Sequence, residues 1–372
     1  MIVSPPISPI RHTALAAAIA CGIGGFSGAS AQTAEAITVY SWGGTFSAAQ
    51  VQALNQPFTR ETGIAVKMVD ADDPAIPLLA QATAGNVTMD VASVGLSDAL
   101  RLCDEGLIEP LDDLALAPAP DGTPAAQDFM DGTLSDCMVP TDVYSTVLAM
   151  DSSRFPGDKP ATAADFFDIE KFPGKRGMLK QPRFTLELAL LGDGVPADQV
   201  YDLMRTPEGV DRAFAKLDTI RDQIIWWDAG AQPVQLLADK EVSLTQAYNG
   251  RIFNAVIEDG LPFAIIWDGQ IYEFEGWVIP KGAPHPEAAR EYVVRTTSAP
   301  AQARFSGIIS YGPTRKSASA LIGMYKDGKN AMAPHLPTAE VNMNNALAFD
   351  VGFWADHDAE LGERFAAWLA SG

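Results

Sequence analysis

The fold is decided first at the stretch AITVYSWGG, residues 36–44. It reads as a buried strand that ends at two glycines, and apolar residues at helical spacing follow over 47–62. Strands and helices then continue to alternate: a strand at 64–69, a helix at 77–84, a strand at 90–94 and a helix at 97–105. Such alternation predicts a parallel sheet with right-handed crossovers.

The chain has 372 residues, whereas a single hydrophobic core stops growing at about 250–300 residues. We therefore expect two α/β lobes, with a first crossing near 140–142, just before a strand at 143–150. Strands are predicted at 263–267 and 275–280, and the second of these is the expected return crossing. The lobes are predicted to contain residues 36–141 plus 277–320, and residues 142–276 plus 321–372. A ligand site would lie between them, at the carboxyl ends of strands.

Residues 1–31 have the layout of a cleaved signal peptide: Arg11, an apolar run over 13–26, and Ala29-Ser30-Ala31 before Gln32. The run is shorter than the about 20 residues that a membrane span needs. This predicts a periplasmic protein that begins at Gln32. A disordered tail and lipid attachment at Cys21 are the alternatives.

Charge and cysteine content narrow the class of protein further. The net charge of −21 argues against nucleic acid and anionic membranes as partners. Once Cys21 has left with the signal peptide, Cys103 and Cys137 remain in an oxidising compartment, where they are expected to form one disulfide. Two separate buried thiols are the alternative.

Motifs for chemistry are missing from the sequence. The four histidines are far apart and lack metal-ligand spacing, and no nucleophile elbow, P-loop or dinucleotide fingerprint occurs in the mature part. The sequence therefore predicts no metal, no cofactor and no enzymatic activity. A hydrolase that uses two of the 47 acidic residues remains the alternative from another class.

Aromatic residues lie at predicted strand ends and crossings. Trp42 is followed by Gly43, Tyr144 lies near the first crossing, Tyr248 ends a strand, and Glu275 lies at the return crossing. Core packing is the ordinary role of such rings. Aromatic rings beside a carboxylate also form a trap for an alkylammonium group, through cation–π attraction and charge-assisted hydrogen bonds.

Several short motifs follow one another in a characteristic order: 40–44 (YSWGG), 105–112 (EGLIEPLD), 172–177 (FPGKRG), 247–251 (AYNGR), 274–280 (FEGWVIP) and 309–314 (ISYGPT). Together they resemble the spermidine/putrescine-binding proteins of ABC importers. The resemblance implies a type II periplasmic binding fold, a monomer that captures a polyamine-like amine, and delivery to an inner-membrane permease. It places aromatic walls at Trp42 and Tyr248, an amine-binding carboxylate at Glu275, and Tyr144 along the cleft.

Two positions depart from that pattern. Arg183 and Arg251 stand where polyamine binders are expected to have acids. If both face the cleft, they would repel a diamine and pair with a carboxylate or phosphonate. The alternative ligand is then a zwitterionic or carboxylated amine, such as an amino-acid derivative. Arginines that point to solvent would leave the polyamine interpretation intact, and a sensor would share the same sequence features.

Overall fold

The computed structural model describes residues 36–371. The predicted signal peptide at 1–31 and the lipidation alternative at Cys21 lie outside the described residues. No helix within 36–371 is both long and apolar enough to cross a membrane.

Within the described residues, one mixed sheet contains ten strands. The strands are β1 (Ala36–Ser41), β2 (Ala65–Asp70), β3 (Val91–Gly95), β4 (Val139–Asp151), β5 (Arg176–Leu179), β6 (Ile224–Trp227), β7 (Leu244–Tyr248), β8 (Phe263–Val278), β9 (Gly312–Pro313) and β10 (Leu347–Ala348). The helices are α1 (Gly44–Gln50), α2 (Gln56–Thr62), α3 (Ala75–Ala84), α4 (Leu96–Asp104), α5 (Ala125–Asp128), α6 (Ala163–Phe167), α7 (Thr185–Gly192), α8 (Val200–Met204), α9 (Pro207–Asp218), α10 (Gln232–Ala238), α11 (Asn249–Ile257), α12 (Pro286–Thr296), α13 (Ala299–Ser306) and α14 (Val351–Ala370).

The sheet order is β2-β1-β3-β8-β4-β7-β5-β6, with β9 added to β4 and β10 to β8. β1 pairs in parallel with β2 and with β3, which confirms the parallel arrangement predicted for the first three strands. β5 likewise pairs in parallel with β6 and β7. Two parallel halves therefore flank the antiparallel pair of β4 and β8.

The two central strands are long enough to belong to both halves of the molecule. β4 has 13 residues and β8 has 16, so they extend over about 43 Å and about 54 Å at about 3.3–3.4 Å per residue. One large hydrophobic cluster packs around β5 and α7, and another packs around β1, α2 and α12. These are the two lobes, and the residue boundaries given above for them stay a prediction.

β8 corrects the prediction of two separate strands at 263–267 and 275–280, because it runs without a break from Phe263 to Val278. The polar residues Asp268 and Gln270 interrupt the apolar pattern in the sequence. In the structure this segment forms an irregularity, since the register with β4 shifts between Thr146 and Leu148. A bulge of this kind accommodates extra residues without ending the strand.

The predicted disulfide is confirmed: Cys103 of α4 is bonded to Cys137, just before β4. The two cysteines are separated by 34 residues. The bond therefore joins α4 of the first lobe to the start of the central strand β4, across the irregular segment between them.

Replacement of both cysteines by alanine should lower the free energy of unfolding by about 3–4 kcal/mol, because a closed loop of this length restricts the unfolded chain. Urea unfolding of the oxidised protein and of the Cys103→Ala/Cys137→Ala variant measures the difference. Dithiothreitol should bring the parent protein to the level of the variant and leave the variant unchanged. Equal unfolding midpoints for oxidised and reduced parent protein would contradict the prediction.

Candidate functional site

Three acidic side chains lie on one face of the central strand pair. Glu275 of β8 is paired in register with Asp142 of β4, and Glu273 is paired with Tyr144. Because side chains two residues apart on a strand point to the same side, these four groups share one face of the sheet. The carboxyls of Asp142, Glu273 and Glu275 are all buried.

Burial controls the protonation of these acids. It raises the pKa of Glu273 to about 7, against a hydrogen bond from Tyr144 that lowers it. It raises the pKa of Glu275 well above its ordinary value, and the Asp142 carboxyl raises it further. The pKa of Asp142 is raised by burial, although Thr141 donates a hydrogen bond of 2.8 Å to its Oδ1.

Two oxygens of this acid cluster have no hydrogen-bond partner among residues 36–371: Oδ2 of Asp142 and Oε2 of Glu275. A buried polar atom without a partner costs stability, and more so when it carries charge. These two oxygens are therefore acceptors for which the described chain supplies no donor.

Tyrosine rings form the wall beside the acids. The ring of Tyr144 lies 6.0 Å from that of Tyr248 and 6.2 Å from that of Tyr311, measured between centroids. The Tyr144 hydroxyl donates to Oε2 of Glu273, and burial and the charge of Glu273 raise the pKa of Tyr144, which keeps this donor protonated. Tyr248 also contacts Trp227 at 5.9 Å.

Arg251 lies at the same wall, in the first turn of α11. It packs beside Gly230, where a Cβ atom would stand 3.1 Å from its Nε. The positive charge lowers the pKa of the Tyr248 and Tyr311 hydroxyls, although burial dominates and raises both. Within the described part of the chain, neither an ion pair nor a hydrogen bond engages its guanidinium.

Arg183 is placed differently. Its Nε donates to Oδ1 of Asp358 at 2.7 Å, and its guanidinium lies over the Trp354 ring at 5.9 Å. Both partners belong to α14, so these contacts attach the Arg183 side chain to the terminal helix. Its charge nevertheless acts on Glu273, whose pKa it lowers as a secondary effect.

Trp42 and Gly43 lie at the carboxyl end of β1. Trp42 is half-buried against the first-lobe cluster, and its indole N–H has no partner within the described chain. Gly43 has φ 74°, and a Cβ atom there would approach Asp70 to 3.3 Å. Only glycine adopts this backbone conformation without strain, and the lack of a side chain leaves the backbone uncovered at the start of α1.

The structure thus brings together four of the predicted site residues, Tyr144, Tyr248, Arg251 and Glu275. It directs Arg183 mainly to α14 and places Trp42 and Gly43 at the end of β1. Their roles in ligand binding stay a prediction.

The predicted site lacked Asp142, Glu273 and Tyr311. Glu273 and Glu275 are two residues apart, which is the signal that could have assigned both to one face of a strand. Asp142 and Tyr311 join the site through strand pairing, which a single sequence does not give. The absence of a metal site stays a prediction. Residues 36–371 contain no cluster of three or more His, Cys, Asp or Glu side chains that could hold a metal ion.

The raised pKa values predict that the ligand-free protein loses stability as pH rises from about 4.5 to about 7. In this range the unfolded chain releases protons from glutamates with a pKa of about 4.3, whereas the folded protein keeps them on Glu273 and Glu275. Each group retained in the neutral form costs up to about 1.4 kcal/mol per pH unit. Urea unfolding across this pH range measures the slope.

Glu273→Gln should reduce that slope by up to about 1.4 kcal/mol per pH unit, since glutamine keeps the size of the side chain and does not ionise. The remaining slope comes from Glu275, Asp142 and Glu187, whose pKa values burial also raises. Glu170→Gln is the matched control, because Glu170 is exposed and its replacement should leave the slope unchanged. A parent protein whose stability rises with pH over this range would contradict the assignment.

Comparison with known proteins agrees with this architecture. Residues 53–338 match the family model of bacterial extracellular solute-binding proteins. A gamma-aminobutyric acid-binding protein of Pseudomonas aeruginosa is 42% identical over 345 residues, which cover 93% of this chain and 94% of that protein.

Two solved structures have the same fold over most of their length. The binding protein MotA of A. tumefaciens B6, solved with glucopine, is 30% identical with a TM-score of 0.77, covering 90% of this chain and 99% of its own. A GABA receptor is 34% identical with a TM-score of 0.75, covering 90% and 98%. The chain therefore belongs to the bacterial extracellular solute-binding protein family and has its two-lobed periplasmic binding fold.

Proposed function

We propose that this protein is the periplasmic substrate-binding component of an ABC importer and captures a zwitterionic amine of the γ-aminobutyrate class. One observation carries the proposal: the Tyr248 ring lies 6.0 Å from Tyr144, which shares the sheet face of the buried Glu275, and it also lies next to Arg251, which has no ion partner in the described chain. Opposite charges beside one aromatic wall suit a ligand with an amine at one end and a carboxylate at the other.

The amine end is assigned to the acid cluster. Oε2 of Glu275 and Oδ2 of Asp142 accept its N–H groups, which supplies the partners that these buried atoms lack within residues 36–371. The rings of Tyr144, Tyr248 and Tyr311 surround the alkylammonium and add cation–π attraction. Cation–π contacts gain strength in a site from which water is excluded.

The carboxylate end is assigned to Arg251. A guanidinium pairs with a carboxylate through two parallel hydrogen bonds, and such pairs are stronger than neutral hydrogen bonds. A diamine would instead bring its second ammonium toward Arg251 and be repelled. The similarity to a gamma-aminobutyric acid-binding protein and to a GABA receptor supports the same choice over a polyamine.

Calorimetric titration should show that γ-aminobutyrate binds more tightly than putrescine. Arg251→Ala should weaken γ-aminobutyrate binding about 30-fold or more, since loss of one partner of a buried charged pair costs about 2–5 kcal/mol. Binding of n-butylamine, which has no carboxylate, should be unaffected by this replacement.

The matched control is Arg212→Ala, because Arg212 pairs with Asp193 on the surface of the second lobe. It should leave both affinities unchanged. Tighter binding of putrescine than of γ-aminobutyrate, or an equal loss of γ-aminobutyrate and butylamine affinity in Arg251→Ala, would refute the assignment of the carboxylate end.

Ligand capture should also release protons. The ammonium group favours the ionised carboxylates, whereas burial raises the pKa of Glu273 to about 7 and raises the pKa of Glu275 well above its ordinary value. Affinity should therefore fall as pH decreases below about 7, up to about tenfold per pH unit for each proton released. Titrations in buffers with different ionisation enthalpies give the proton number, and proton uptake on binding would contradict this prediction.

A further inference from the structure

One edge of β4 changes its partner halfway along. Residues 146–150 pair with β7, whereas Asp142 and Val143 pair with β9. Tyr144 and Ser145 lie at the change, where neither strand continues the ladder. Ala247 of β7 belongs to a cluster with α10 and α11, while Tyr311, just before β9, packs with the cluster around β1. The two lobes therefore meet along this edge.

The side chain of Asn249 fills the break. It is fully buried and follows the last residue of β7. Its Oδ1 accepts a hydrogen bond of 3.0 Å from the backbone N–H of Ser145, and its Nδ2 donates to the carbonyl oxygen of Ser310. One amide thus replaces the missing ladder bonds and links β7, β4 and the segment that leads into β9.

Each of these three points is adjacent in sequence to a tyrosine of the site. Asn249 follows Tyr248, Ser145 follows Tyr144, and Ser310 precedes Tyr311.

The next residue, Gly250, lies directly beneath the Tyr311 ring. A Cβ atom at this position would stand 2.5 Å from its Cε1, and only glycine permits that approach. The dipeptide Asn249-Gly250 therefore fixes the positions of rings that come from three separate parts of the chain.

We propose that Asn249 is a positioning residue that fastens the two lobes at the edge of β4 and thereby sets the spacing of the three tyrosines around the ligand ammonium. Both polar atoms of its amide are already bonded within the protein, so it acts through the tyrosines and not on the ligand. The inference rests on the proposed function in one respect, since γ-aminobutyrate is used as the probe because of the proposed ligand class.

The test compares γ-aminobutyrate with its N,N,N-trimethyl derivative in the parent protein, Asn249→Ala and Asn249→Asp. Aspartate keeps the size and the acceptor for Ser145 but sets an oxygen, charged when ionised, against the Ser310 carbonyl in place of the donor, and it serves if the alanine variant fails to fold. Both variants should bind γ-aminobutyrate about tenfold more weakly, because tyrosine rings that lose their fixed positions make less favourable contacts with the ammonium group. If the three tyrosines are no longer held at a fixed spacing, the site should also distinguish less well between the unmethylated and the trimethylated amine. We expect this preference to fall about threefold or more, since residues in contact affect binding jointly.

Asn254→Ala is the control, because Asn254 lies on the same helix and its side-chain amide makes no hydrogen bond among the described residues. It should change neither affinity nor preference. Asn249 variants that keep both affinities, or lose both by the same factor, would show a purely structural residue and overturn the inference.

Small-angle X-ray scattering of the ligand-free proteins gives a readout that does not depend on ligand identity. The Asn249 variants should show a larger radius of gyration than the parent and Asn254→Ala, because the lobes lose their link at β4. Scattering of the Asn249 variants identical to that of the parent would overturn the inference. Failure of the parent protein to bind either probe would instead count against the proposed function and would leave the scattering result valid.

Discussion

The antiparallel pairing of β4 with β8 is the interaction on which the rest of the structure depends. These strands are the longest in residues 36–371, and each half of the sheet is built outward from one of them. The register of this one pair sets Asp142 against Glu275 and Tyr144 against Glu273. A shift by one residue would turn these acids to the other face of the sheet, so the pairing determines the architecture and the site together.

Burial of three acids is an electrostatic cost that the protein tolerates because they can stay protonated. A neutral carboxyl in the interior avoids most of the desolvation penalty of a carboxylate. The protonated cluster is also close to ionisation, since the pKa of Glu273 is raised only to about 7. In the proposed function, the ligand ammonium would replace these protons and stabilise the charged form, so the burial that destabilises the empty site would strengthen ligand binding.

The elements that could be predicted from the sequence are those whose signal is local. The alternation over 36–105 predicts the parallel strands β1 to β3, and the count of cysteines together with the predicted signal peptide predicts the pairing of Cys103 with Cys137. The polar residues Asp268 and Gln270 predict a loop between two strands, because polarity alone does not distinguish a loop from a bulge within one continuous strand. Arg183 shows a different limit, because its sequence position alone could not reveal that Asp358, far along the chain, forms an ion pair with it.

The net negative charge of the protein favours the ammonium end of a zwitterion, whereas the proposed site combines acids with Arg251 and would bind both ends. A net charge of −21 would repel a free carboxylate, but salt screens exposed charges beyond about 8 Å at physiological ionic strength. Most of the acidic surface would therefore exert little electrostatic force on a ligand in the cleft. Arg251 and the acid cluster would interact with that ligand at short range, where less water screens the charges. Discrimination between a diamine and an amino acid then depends on which arginine keeps its charge available. Arg183 forms an ion pair with Asp358, whereas Arg251 has no such partner in the described chain, and in the proposed function this difference is the reason for assigning the ligand carboxylate to Arg251.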